Sequence, residues 1–120
     1  MTDSFDRYVP EMIETRRRIH KRPELGWTEF ETTALVAQRL SSYGFEVHLG
    51  REVVNPDAVL GRDPKAAEEG VERARKAGVP EELLEKMGGY TGCVGILDTG
   101  RPGPTLAFRH DMDALPIQEL

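Results

Sequence analysis

The chain has 120 residues, a net charge of -5, 31% charged residues and 38% hydrophobic residues. This is the length of one ordinary domain, and its mild acidity argues against nucleic acid or an anionic membrane as the main partner. No apolar run approaches the ~20 residues needed to span a bilayer. The opening "MTDSFDRYVPEMIETRRR" lacks the apolar centre of a signal peptide. Cys93 is the only cysteine, so no internal disulfide is possible, and a reducing cytoplasm fits. It reads as a small buried residue rather than a nucleophile.

The first predicted element is a helix. Phe5, Tyr8, Met12, Ile13 and Ile19 recur at three- and four-residue steps, with Ser4 as N-cap and Pro10 as the weak point. The basic run "ETRRRIHKRP" suits a solvated helix end, where cations meet the negative pole of the dipole, and Pro23 stops the helix. A second helix is predicted from Thr28 to Tyr43. Thr28 and Glu31 have the spacing of a capping box, and Gly44 stands where a left-handed C-cap belongs. "FEVHL", residues 45–49, alternates apolar and polar and reads as a half-buried strand with His48 on its polar side.

Between Gly50 and Gly89 turn formers and charges dominate. Asp63 and Pro64 form a helix-start signature, with Arg73, Arg75 and Lys76 late in the segment. "PEELLEKMGG" is a second short helix. Apolar content is thin, so residues 63–88 read as a helical insertion facing solvent and contributing nothing to the core. Strands are predicted near 92–98 and 104–111, joined by the turn cluster "DTGRPGP" into a hairpin. Alternation then places Ala107, Arg109 and Asp111 on one face and Leu106, Phe108 and His110 on the other.

Asp111 and Asp113 are the candidate site residues. Carboxylates at a strand end project into the crevice where α/β proteins bind ligands, and such a group orients a metal-bound histidine or polarises a water. Spacing alone equally allows them to cap the turn or to pair with Arg109.

"RRRIHKRPELGWTEFETTALVAQRLSSYGFEV" followed by "GPTLAFRHDMDALPIQE" resembles the start of a peptidase family M20 amidohydrolase, in the subgroup of aminoacylases, hippurate hydrolases and aminobenzoyl-glutamate hydrolases. "GREVVN", "ERARKAG" and "GGYTG" running into "LDTGRPGP" resemble the A-type branch of the last group. The resemblance implies an α/β fold, with residues 1–120 the N-terminal portion of a catalytic domain and a dimerisation domain lying elsewhere. It implies cleavage of the amide bond of an N-acyl amino acid, with aminobenzoyl-glutamate as one substrate, by a pair of zinc or manganese ions and a glutamate base. The family's His-x-Asp triplet matches Arg109, His110 and Asp111. Asp111 is implied to support the metal centre through its ligands, and Asp113 to shape the turn beneath it. His110 departs from the small or aliphatic residue usual there, and its strand parity turns it away from the site. The family's ligand motifs, a Cys-Gly-His-Asp stretch, a Glu-Glu pair and further histidines, have no match here, so no metal ligand is assigned to this chain. The chain is therefore expected to bind no metal tightly and to be inactive alone, or to be a non-catalytic module that binds a partner. The expected partners are a small-molecule substrate, a second copy, or a companion of the B type, with no nucleic acid and no membrane.

Overall fold

The computed structural model of the chain describes residues 2–117; Met1 and residues 118–120, which include the end of the "PIQE" stretch, lie outside the described part. The elements in order are α1 (Thr2–Asp6), α2 (Val9–Lys21), α3 (Phe30–Ser42), β1 (Glu46–Leu49), two short 3-10 turns (Gly50–Glu52 and Pro56–Ala58), α4 (Pro64–Lys76), α5 (Glu81–Met87) and β2 (Cys93–Ile96). The α/β class stands, and so does the order of its helices.

The predicted first helix is two. Pro10 has no N–H to donate and occupies the first turn of α2, so the break falls at Arg7–Tyr8, and Ser4 lies inside α1 rather than capping a longer helix. α2 ends at Lys21, and Arg22, immediately before Pro23, leaves the helical region at φ -129° and ψ 67°. α3 closes as expected. Gly44 has φ +87° and donates to the Ser41 carbonyl at 3.0 Å, while Phe45 N–H reaches Leu40 O at 3.1 Å, the paired bonds of a Schellman ending. Asp63 caps α4 as predicted, accepting from Lys65 N–H at 3.0 Å, and Pro64 opens the helix.

The sheet differs from expectation. β1 and β2 pair antiparallel, with Glu46 opposite Ile96 and Leu49 opposite Cys93. The hairpin predicted from 92–98 and 104–111 does not form. Residues 104–111 carry no regular secondary structure and are exposed, with no ladder partner among the described residues. β2 instead pairs with a strand more than forty residues earlier in the chain. Gly95 faces α3, where a Cβ would come within 3.0 Å of Leu40, so the small residue lets helix and sheet close together. Val94 and Ile96 consequently point to the other, open face and are about half exposed.

α3 is the hub, packing on the sheet and on α4. The core consists of Phe30, Ala34, Ala37, Leu49, Ala67, Ala74, Leu84 and Met87. Half of these belong to residues 63–88, which corrects the reading of that insertion as outside the core. A helix rich in charge still buries a narrow stripe when alanines let it approach closely, and Ala67 and Ala74, seven residues apart, form that stripe. α2 buries no residue and is tied to α3 by a Glu11–Arg39 ion pair. No helix among the described residues is long and apolar enough to cross a membrane.

Candidate functional site

The loop 23–29 joins α2 to α3 and is built around buried acids. Glu24 is 3% exposed. Its carboxylate accepts from Glu31 N–H at 3.0 Å, Thr32 N–H at 2.7 Å and the Thr32 hydroxyl at 2.5 Å. These are donors of the first turn of α3, where the helix dipole also favours a negative charge. Glu24 therefore does the capping that the sequence assigned to Thr28, whose hydroxyl donates instead to Leu25 O at 2.8 Å. Burial pushes the Glu24 carboxyl above the ordinary glutamate value, and the bonds from Thr32 and Glu31 offset only part of that shift.

The second buried acid, Glu29, accepts from the Thr91 hydroxyl at 2.6 Å, and Thr33 Oγ1 accepts from Gly92 N–H at 3.0 Å. These two bonds fasten the loop and α3 to the start of β2. Outside them, Glu31 is held by Arg22 at 2.7 Å and by Arg73 at 3.2 Å, while Arg73 also donates to Pro23 O at 3.1 Å. Burial raises the Glu31 carboxyl, but the two guanidinium groups outweigh it and hold it below the ordinary value. Trp27 adopts the left-handed conformation at φ +66°, uncommon for a bulky residue, and its indole N–H donates to Leu60 O at 2.9 Å.

The predicted site residues meet this loop at its outer edge. Ala114 N–H donates to Glu24 O at 2.8 Å, which docks the "DMDAL" turn on the loop. A Cβ on Gly26 would lie 3.8 Å from Asp113 Oδ2, so Asp113 rests against the backbone at Gly26. Asp111 is exposed and accepts from Arg109 Nη2 at 2.6 Å, so these two side chains meet as alternation predicts. His110 is exposed, in a segment without a strand partner among the described residues. Cys93 is half-buried rather than fully buried, and burial raises its thiol pKa, away from the thiolate a nucleophile needs.

The described residues do not on their own fit a divalent metal. Asp111 is already committed to Arg109, and among the described residues no group of three or more His, Cys, Asp or Glu side chains converges to hold an ion. The Asp111–Asp113 turn is exposed and touches the buried-acid loop through the Ala114–Glu24 backbone bond and the approach of Asp113 to Gly26. Sequence reasoning missed Glu24, Glu29 and Thr91 because each acts across a gap of seven or more residues, where local cap patterns carry no signal.

No family model matches the chain. It is 46% identical over 98% of its length to the A component of p-aminobenzoyl-glutamate hydrolase from Escherichia coli, and 42% identical over 91% to a homolog of that component from Haemophilus influenzae. It is 48% identical over 92% to indole-3-acetyl-aspartic acid hydrolase of Enterobacter agglomerans. It spans only 26–28% of the length of these relatives. Among solved structures, the aminobenzoyl-glutamate utilization protein of Klebsiella pneumoniae superposes with a TM-score of 0.89 at 45% identity, covering 95% of this chain and 29% of that one. The chain is thus similar over more than nine-tenths of its length to these hydrolases and to the aminobenzoyl-glutamate utilization protein, and it spans little more than a quarter of each.

Proposed function

We propose that this chain is part of an amidohydrolase that splits the amide bond between an acyl group and an acidic amino acid, glutamate or aspartate. The supporting observation is the match of 42–48% identity, over nine-tenths of the chain, to relatives named for aminobenzoyl-glutamate and indole-acetyl-aspartate. The geometry agrees with a supporting role: the Asp111–Asp113 turn is carried on the buried-acid loop, at the exposed edge of the fold, where the rest of a site would lie. In the complete enzyme a zinc or manganese pair would polarise the scissile carbonyl. The ligands for such ions belong to residues outside this segment. What this chain does is hold the Asp111 and Asp113 carboxylates in place. By itself it is inactive. A cytoplasmic setting is consistent with its single thiol, and the naming of the relatives as components of a larger enzyme supports a companion chain or a second copy as partner.

The test is a chimera in which this chain replaces the matching portion of the E. coli protein. Cleavage of p-aminobenzoyl-glutamate by the chimera, reduced at least about tenfold by Asp111→Asn, is the expected result. A folded chimera with no hydrolysis overturns the reading. Chelator-sensitive cleavage by the isolated chain overturns the claim that it is inactive alone.

A further inference from the structure

Two arginines from separate turns stack on one tyrosine. Arg62 Cζ lies 4.5 Å and Arg51 Cζ 5.8 Å from the centroid of the Tyr90 ring. Arg62 is aimed by its own bonds to Gly89 O, at 3.2 Å from Nε and 2.7 Å from Nη2. The Arg51 stem runs so close to Gly88 that a Cβ there would come within 2.6 Å of its Cδ. The bond from Gly50 N–H to Gly92 O, 2.9 Å, brings the "GREVVN" and "GGYTG" stretches together.

Half of the ten other arginines are neutralised locally. Arg22, Arg39, Arg73, Arg75 and Arg109 each pair with a carboxylate. Among the described residues Arg51 and Arg62 have no such pair, in a chain of net charge -5. The neighbouring acids are committed: Glu52 accepts from Leu49 N–H at 3.2 Å and faces His48, and Asp63 caps α4. A relay of contacts links the segment carrying Arg62 to the candidate site. Leu60, two residues before Arg62, holds the Trp27 indole, and Trp27 follows Gly26, on which Asp113 rests.

We propose that Arg51 and Arg62, set around Tyr90, form the subsite for the side-chain carboxylate of the N-acylated acidic amino acid. The assignment rests on the amidohydrolase reading above. A guanidinium fork matches a carboxylate in shape and charge, and it does so at least entropic cost when already held in place, as Arg62 is by Gly89. Cation–π contact with Tyr90 restrains both side chains, and Nη1 of the Arg62 guanidinium takes no part in the bonds to Gly89 O.

The test is a titration of the isotopically labelled chain, reading the Nε–H signals of Arg51 and Arg62. The probes are N-acetyl-glutamate and N-acetyl-glutamine, which differ only in the side-chain charge. The glutamate derivative should shift both signals saturably, with the glutamine derivative at least about tenfold weaker. Arg51→Gln and Arg62→Lys should each weaken the response about fivefold or more while the backbone spectrum stays in place. Equal response to the two probes, or response to neither, overturns the subsite. Binding is read without turnover, so an inert chimera that still discriminates the probes sinks the hydrolase reading alone. A chimera that hydrolyses while the chain fails to discriminate sinks the subsite alone.

Discussion

Gly50 and Glu24 are the single residues on which most local structure depends. Gly50 has φ +49° at the end of β1, and a Cβ there would run into the carbonyl oxygens of Met87 and Tyr90. Gly50→Ala combines backbone strain with a clash against main chain that cannot swing aside, and should destabilise the chain by roughly 2–4 kcal/mol, read as a shift in the urea midpoint. Glu24→Ala removes the acceptor for two N–H groups and a hydroxyl inside the fold, and should cost roughly 1–3 kcal/mol in the same assay. Glu24→Gln keeps one acceptor oxygen and sheds a buried charge, so its loss should be clearly smaller. If the two variants melt together, the carboxyl group is not the cap. Neither residue could be singled out from sequence. The steric need for glycine at position 50 comes from a segment almost forty residues away, and the capping pattern of Thr28 and Glu31 pointed to the wrong side chain.

At the scale of elements, the start of α4 at Asp63–Pro64 and the end of α3 at Gly44 were legible because their causes lie within a turn of the residue concerned. The partner of β2 was not, since strand pairing is a choice among distant segments and the turn-rich "DTGRPGP" favoured the nearer one. The core role of α4 was hidden for a related reason, because two alanines seven residues apart carry little hydrophobic signal until another helix arrives to meet them. The carboxylates at 111 and 113 are candidates on motif and alternation alone, whereas the acids beneath them left no such signal in the sequence. The tie between α4 and the 23–31 segment titrates. Glu31 lies below its ordinary pKa because Arg22 and Arg73 outweigh its burial. Its contribution is thus complete above the ordinary glutamate range and disappears as pH falls through the lowered value. Glu31→Gln should lower stability at pH 7 by about 1 kcal/mol, as befits pairs whose arginines are near half exposed, and should differ less from the parent at pH 3. Glu24 shifts the opposite way, favouring the fold at low pH and losing that advantage as pH rises through its raised value, so the comparison is cleanest in a Glu24→Gln background. Urea midpoints at the two pH values decide it.

Taken whole, the molecule leaves much apolar surface uncovered. Leu106, Phe108 and Leu115 are 73%, 80% and 71% exposed, and the outward face of β2 adds Val94 and Ile96. A groove of about 880 Å³ between α2 and the end of α3 is lined by Phe5, Tyr8, Met12, Ile19, Tyr43 and Phe45. Surfaces of this extent mark contacts with further protein, which accords with a chain that spans about a quarter of its relatives. The purified chain should therefore bind a hydrophobic dye and self-associate with rising concentration, and a species that stays monomeric and excludes the dye at every concentration would contradict this. The chain has a single tryptophan, and its indole N–H is clasped by the Leu60 carbonyl where the loop beneath Asp113 touches the segment carrying Arg62. All indole emission therefore originates at that one seam. Its wavelength and quenching by iodide would follow the parting of loop from insertion, and would give a local optical gauge of whether the two halves of the proposed pocket stay closed while the termini loosen.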